Sequence, residues 1–243
     1  MSEQLKGKHA LVTGASRGIG RAIAIGLAAQ GAAVTVGYVA NEERAAETVD
    51  AIVGAGGQAT AVRADLSVLP EITRLFDEAE GAFGPLDIVV ANAADALVKP
   101  LADCTEEDYD RIFGTNAKGV FFTLQQAAKR VRDGGRIIVT STGGTKMFFT
   151  ETSLYLGSKG AVEQFVRVLS QELGPRNITV NALSPGFTDT DLLPDRDRAV
   201  AAEKSPFGRI GAPGDVGDVA VFLAGDGGRW VTGQNIAAGG GVF

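Results

Sequence analysis

The stretch His9-Ala10-Leu11-Val12-Thr13-Gly14-Ala15-Ser16-Arg17-Gly18-Ile19-Gly20 passes from a short apolar run through a glycine-rich turn into a helical pattern. A buried strand over His9–Thr13 and a helix over Arg21–Gln30 put that turn at a helix N-terminus. Free N–H groups and the helix dipole at such a point attract phosphate. The glycine spacing is G-x-x-x-G-x-G rather than the commoner G-x-G-x-x-G, but its place between strand and helix is the same. Gly14, Ser16, Arg17, Gly18, Ile19 and Gly20 therefore read as the cradle of a pyrophosphate.

Working outward, the same alternation continues to the end of the chain. Strand-like runs occur at Val34–Tyr38, Thr60–Arg63, Leu86–Ala91, Arg136–Thr140, Ile178–Leu183 and Asn235–Ala237. Helical patterns lie between them at Glu42–Ala55, Pro70–Phe83, Thr105 to about Arg132, Leu154–Leu173 and Val216–Ala224. Strands separated by helices of this length predict right-handed βαβ units and a mostly parallel sheet, and continuous apolar strands need helices on both faces. The expected fold class is α/β, a single Rossmann-type doubly wound parallel sheet over residues 1–243. From Pro185 to Pro206 no strand is expected, and Asp195-Arg196-Asp197-Arg198 is highly charged. A stretch this long reads as a lid-like loop over about 186–206.

Composition narrows the function. Of 243 residues, 45% are hydrophobic and 21% charged, which excludes a disordered chain. The 33 glycines follow no collagen period and imply tight turns. With 23 basic and 29 acidic residues the net charge is -6, a poor match for nucleic acid or an anionic membrane. The one cysteine, Cys104, and the one histidine, His9, leave no material for an internal disulfide, a multi-cysteine metal site or a histidine-based triad. No metal site is expected. Neither a signal peptide nor an apolar run of about 20 residues is visible, so a reducing, cytoplasmic setting is expected.

The second strand ends Tyr38-Val39-Ala40-Asn41, without the acidic residue that would bind a ribose 2′-hydroxyl. Arg17 can instead face a 2′-phosphate, with Asn41 and the Ala40 N–H completing the cradle, which points to NADP(H). Tyr155-Leu156-Gly157-Ser158-Lys159 places a phenol and an ammonium one helical turn apart. A neighbouring cation, helped by an oxidised nicotinamide, is expected to lower the phenol pKa and make Tyr155 a proton donor and acceptor near neutrality. Asn92-Ala93-Ala94 ends the fourth strand at the edge where ligands sit, and Asn116 lies in the next helix.

These residues together resemble the short-chain dehydrogenase/reductase family along essentially the whole chain. The closer likeness is to NADPH-dependent ketone reductases of the 3-oxoacyl-carrier-protein reductase and naphthol reductase types. The resemblance implies that Asp65 and Leu66 hold the adenine and that Asn92, Ala93 and Ala94 line the ribose side. It implies that Asn116 supports a water relay to Lys159, that Lys159 binds the nicotinamide ribose, and that Thr190, after Pro185-Gly186 and Thr188, contacts the carboxamide. Ile138–Thr140 lead to the catalytic hydroxyl. Ala94 stands where the family has glycine. The hydroxyl is either Thr142, 13 residues before Tyr155, or Ser141, 14 before, and the strand register from Arg136 favours Thr142.

Met147, Phe148, Phe149, Leu192 and Leu193 are expected to border an apolar or aromatic substrate pocket. Lys129, Arg130 and Arg132 could greet an acidic carrier protein, but a solvated helix end is the better reading of them. An NAD-linked alcohol or sugar dehydrogenase would want an acid at Tyr38. A non-catalytic NADP-binding regulator would have no reason to keep Tyr155 and Lys159. The resemblance implies a homotetramer. The broad apolar surface of the helix from Leu154 and the tail Val242-Phe243 support this, since both need covering.

Overall fold

The structure, a computed structural model, describes residues 3–193 and 195–243, with the side chains of residues 195–197 outside the description. The apolar runs become seven strands: β1 (His9–Val12), β2 (Ala33–Tyr38), β3 (Gln58–Arg63), β4 (Ile88–Ala91), β5 (Arg136–Thr140), β6 (Thr179–Pro185) and β7 (Asn235–Ala238). They pair in the order β3-β2-β1-β4-β5-β6-β7, every pairing parallel. The order reverses between β1 and β4, and in such sheets a crevice opens there at the carboxyl edge.

Helices α1 (Gly18–Ala29), α2 (Glu42–Gly54) and α3 (Leu69–Phe83) connect the first strands. Helices α4 (Glu106–Phe113), α5 (Val120–Arg130), α6 (Ser153–Leu173), α7 (Asp195–Lys204) and α8 (Pro213–Ala224) follow. Two apolar cores lie on the two faces of the sheet, one around Leu11, Phe76, Val89 and Val139, the other around Val12, Ile23, Val34 and Ile138. Alternate residues of one strand feed opposite cores, as the two-residue period of a strand requires.

Three local features of the structure refine the sequence reading. Helix α1 starts at Gly18, because Gly18 itself (φ +54°) turns the chain into the helix. The long helix or helix pair expected to about Arg132 is a pair joined by a π-helical turn over Gly114–Gly119. There Gly119 lies against Leu66, where a Cβ would come 2.7 Å from its carbonyl oxygen. The lid contains a helix, α7. Pro194 and the side chains of Asp195, Arg196 and Asp197 fall outside the described residues.

The amino edge of the sheet is tied by one carboxylate. Asp87, just before β4, accepts from the His9 N–H (2.9 Å), Lys8 Nζ (3.2 Å) and Arg132 Nη2 (2.6 Å). The arginine and lysine bonds, with the His9 N–H, hold its pKa below the usual carboxylate range against the opposing effect of burial. Two members of the basic cluster at Lys129, Arg130 and Arg132 are paired within the chain. Arg132 is engaged by Asp87, and Arg130 by Asp77 (2.6 Å) and Glu80 (2.9 Å).

Asp87→Ala removes a buried acceptor that ties β1 to the end of α5, and should cost about 1–3 kcal/mol, since its cationic partners are half exposed. Thermal denaturation should show a Tm roughly 3–10 °C lower. Dinucleotide affinity should stay within twofold, because the residue lies at the edge opposite the crevice.

Candidate active site

A cavity of about 1260 Å³ opens at the carboxyl edge of the strands and receives nearly every residue singled out in the sequence. The glycine loop forms one end. Gly14 (φ +63°) sits so close to Ala93 that a Cβ would approach its Cα to 2.8 Å, and a Cβ on Gly20 would meet the Gly14 oxygen at 2.3 Å. Helix α1 has no side-chain cap and no acid in its first turn, so its N–H groups face the cavity uncompensated. Such a bare, side-chain-free N-terminus fits a pyrophosphate.

Asn92 holds this loop in place. Its Nδ2 donates to the carbonyls of Thr13 (3.1 Å) and Gly14 (3.2 Å), and its Oδ1 accepts from Thr140 Oγ1 (3.1 Å). The Asn92 and Ala93 N–H groups donate to Thr13 Oγ1 at 3.0 and 3.1 Å. The Asn92 amide therefore shapes the wall through the loop. Ala94 lines the cavity without strain: no left-handed φ is needed there, so the methyl that replaces the usual hydrogen is tolerated.

At the adenosine end, Tyr38, Ala40, Asn41, Asp65 and Leu66 line the wall. The Asp65 carboxylate accepts from the Ser67 N–H (2.9 Å) and hydroxyl (2.7 Å), fixing the turn that presents Leu66. Asn41 caps α2, its Oδ1 accepting from the Arg44 N–H (2.9 Å). Arg44, which sequence reasoning did not single out, joins Arg17 here, and both pair with Asp191 of the lid. Pro185, Gly186, Thr188 and Thr190 form the opposite wall, with Thr190 against Gly18.

The chemistry-bearing groups converge where α6 crosses the ends of β4 and β5. Lys159 is buried to 1% exposure and donates through Nζ to the Thr140 carbonyl (2.7 Å). Burial pulls its pKa down to about 8, with Glu163, one turn further along α6, acting the other way. One turn back, the Tyr155 phenol lies beside the Thr142 side chain, which acts to lower its pKa. Thr142 Oγ1 accepts from the Gly144 N–H (3.1 Å), which leaves its own hydrogen free to donate.

In the chain alone the phenol pKa is raised: burial disfavours the phenolate, and the Thr142 side chain acts the other way. The Lys159 ammonium is turned to Thr140. A buried phenol that keeps its proton is a proton donor.

Ser141 is buried and donates to Glu163 Oε1 (2.8 Å), which also accepts from Thr145 Oγ1 (2.7 Å). Glu163, likewise unnoticed in the sequence, therefore holds Ser141 away from the phenol. Asn116 sits in the π-helical turn and is fully buried. Its amide is engaged by the Asp95 backbone (2.8 Å to both N and O) and by Ser158 Oγ (3.1 Å), which donates to the Tyr155 carbonyl (2.7 Å). It supports the turn carrying Tyr155 from behind the cavity wall.

Met147, Phe149, Leu192 and Leu193 line the mouth beside Tyr155. Phe148 does not. It is wholly exposed, and with neighbours on both sides facing the cavity it is turned outward.

Residues 14–243 match the family described as enoyl-(acyl carrier protein) reductase. The chain belongs to the short-chain dehydrogenase/reductase family. It is 44% identical over 255 residues to the hydroxynaphthalene reductase-like protein Arp2 of Metarhizium majus, covering 98% of this chain and 95% of that one. Among solved structures it superposes on a dehydrogenase/reductase from Sinorhizobium meliloti 1021 with a TM-score of 0.96 at 40% identity, covering 99% and 97% of the two chains. It superposes on the angucycline C-6 ketoreductase LanV with bound NADP with a TM-score of 0.94 at 42% identity, covering 100% and 98%.

The geometry separates the two candidate hydroxyls. Thr142→Val removes the hydroxyl that meets the phenol and should lower steady-state turnover of a ketone roughly 10- to 1000-fold. Ser141→Ala should cost less turnover and show mainly as lower thermal stability. The reverse ranking would mean that Ser141 leaves Glu163 to work on substrate.

Proposed function

We propose that the protein is an NADPH-dependent reductase of apolar or aromatic ketones, with Tyr155 as the proton donor. The observation that carries this reading is the protonated, half-buried phenol of Tyr155 sharing one cavity with an uncapped, glycine-lined helix N-terminus. The N–H groups of the glycine loop and α1 would hold the pyrophosphate, Arg17 the 2′-phosphate, and Asp65 and Leu66 the adenine. When bound, NADPH supplies the hydride for the carbonyl carbon. Tyr155 donates its proton to the carbonyl oxygen, and the Thr142 hydroxyl orients that oxygen and stabilises the phenolate that forms. Lys159, charged below about pH 8, supplies the nearby positive charge that makes loss of the phenol proton tolerable. Asn116 and Ser158 fix the first turn of α6, so that these groups stay in register.

The substrate reading rests on the mouth. Met147, Phe149, Leu192 and Leu193 give it an apolar lining, and Phe149 meets Phe187 edge to face with ring centroids 6.1 Å apart. Flat aromatic ketones fit such a wall. The names of the relatives, hydroxynaphthalene reductase-like and angucycline ketoreductase, support the same class.

A homotetramer in the cytoplasm completes the reading. Phe121 and Val168 leave apolar surface exposed on α5 and α6, where Phe121 stacks edge to face on Phe165, and Phe222 and Trp230 do so near α8. The tail does not add to this surface. The Phe243 ring folds back on Gly143, where even a Cβ would come within 2.0 Å of it. Among the described residues, no helix is long and apolar enough to cross a membrane.

Tyr155→Phe should lower ketone-dependent NADPH oxidation at least about 100-fold while leaving NADPH affinity within threefold, since a general acid is removed and the cradle is not. Near-normal turnover in that variant would remove the phenol from the mechanism. Light scattering at micromolar concentration should give a mass of about 100 kDa, four copies of the 25.1 kDa chain. A stable, active 25.1 kDa species would contradict the tetramer.

A further inference from the structure

Two guanidinium groups and one carboxylate meet at the adenosine end of the cavity. Arg17, from the glycine loop, and Arg44, from the first turn of α2, both pair with Asp191 Oδ2, the Arg44 contact at 2.9 Å. These contacts hold the Asp191 carboxyl below its usual range, the Arg44 bond contributing most. All three side chains line the same cavity as Ala40 and Asn41. We propose that Arg44 is a second 2′-phosphate-selecting residue beside Arg17, and that Asp191 is an internal competitor occupying both arginines until that phosphate displaces it. The proposal rests on the NADP(H) reading above.

Three observations carry it. First, Arg44 shares the first turn of α2 with Glu42 and Glu43, yet its guanidinium lines the cavity and pairs across it with Asp191. Second, both guanidinium groups end on one oxygen, Asp191 Oδ2. A phosphate monoester near neutrality carries close to two negative charges and three acceptor oxygens, so it can give each arginine an oxygen of its own. Third, the three groups are each about half exposed, so the bridge is of the weak, surface kind that a better anion can break.

The consequence differs between coenzymes. NADPH must break the bridge and is repaid by both arginines. NADH has no group for the arginines and leaves the bridge intact. Asp191 also belongs to the strap that continues into Leu192 and Leu193 at the substrate mouth, while Thr190, its neighbour, lies against Gly18. The bridge thus tethers that strap across the cleft when no phosphate is present, and arrival of the phosphate frees it.

The test is calorimetric titration of the whole protein with NADPH, NADH and adenosine 2′,5′-bisphosphate, using wild type, Asp191→Asn, Asp191→Ala, Arg44→Ala and Arg44→Ala/Asp191→Asn. Both Asp191 variants should bind NADPH and the bisphosphate about three- to tenfold more tightly, the range open to exposed ion pairs, with NADH within twofold. Arg44→Ala should weaken the two phosphorylated ligands about tenfold and leave NADH unchanged, and in that background Asp191→Asn should gain less. Unchanged or weaker NADPH binding in both Asp191 variants, or an equal gain for NADH, would overturn the competitor role. An Arg44→Ala variant with normal NADPH binding would overturn the role of Arg44. Failure of the coenzyme reading itself looks different: wild type would then bind NADPH and NADH alike.

Discussion

The ammonium of Lys159 is carried into the interior and ends on the Thr140 carbonyl, 2.7 Å away. A buried cation costs several kcal/mol unless it is hydrogen-bonded and faced by opposite charge. Thr140 supplies the bond and Glu163, one helical turn on, supplies the charge. The site follows from meeting that requirement. Helix α6 is pinned to the end of β5, which brings Tyr155 to the cleft. The Thr140 hydroxyl reaches Asn92, and Asn92 reaches the Thr13 and Gly14 carbonyls. A continuous run of hydrogen bonds therefore links the buried ammonium to the glycine loop, and the groups at the two ends of the cleft are held in mutual register.

The two edges of the sheet divide the work. At the amino edge, Asp87 gathers Lys8, Arg132 and the His9 backbone in an arrangement that stabilises the sheet and leaves no space for a ligand. At the carboxyl edge β1, β4 and β5 run out into Thr13-Gly14, Asn92 and Thr140. Their small or amide side chains leave a cavity and let the backbone approach a bound molecule. Charges there are arranged loosely: Arg17 and Arg44 are held by a half-exposed carboxylate that a phosphate can replace.

Much of this was legible in the sequence, because it depends on local pattern. Strand, glycine turn and helix are contiguous at residues 9–20, and Tyr155 and Lys159 are one helical turn apart. What was not legible depends on contacts between distant segments. Arg44 looks like one more charge on a solvated helix until the fold brings Asp191, 147 residues away, against it. Glu163 reads as a surface residue of α6 until Ser141 and Thr145 are found on it, and that contact is what separates Ser141 from Thr142. Sequence spacing shows a cation near Tyr155, but not the burial that raises the phenol pKa in the chain alone or the carbonyl toward which the cation is turned. The outward turn of Phe148 follows from one bend that no periodicity encodes.

A charged Lys159 in the interior enables the phenol to give up its proton. The pH dependence of reductive kcat, measured with saturating NADPH and a ketone substrate, addresses it most directly. Because burial brings the lysine pKa down to about 8, kcat should be level below that pH and fall as pH rises through it. Lys159→Met, which keeps the length and loses the charge, should show low turnover with no break near pH 8. A wild-type profile level through pH 9, or a break that persists in Lys159→Met, would contradict the account.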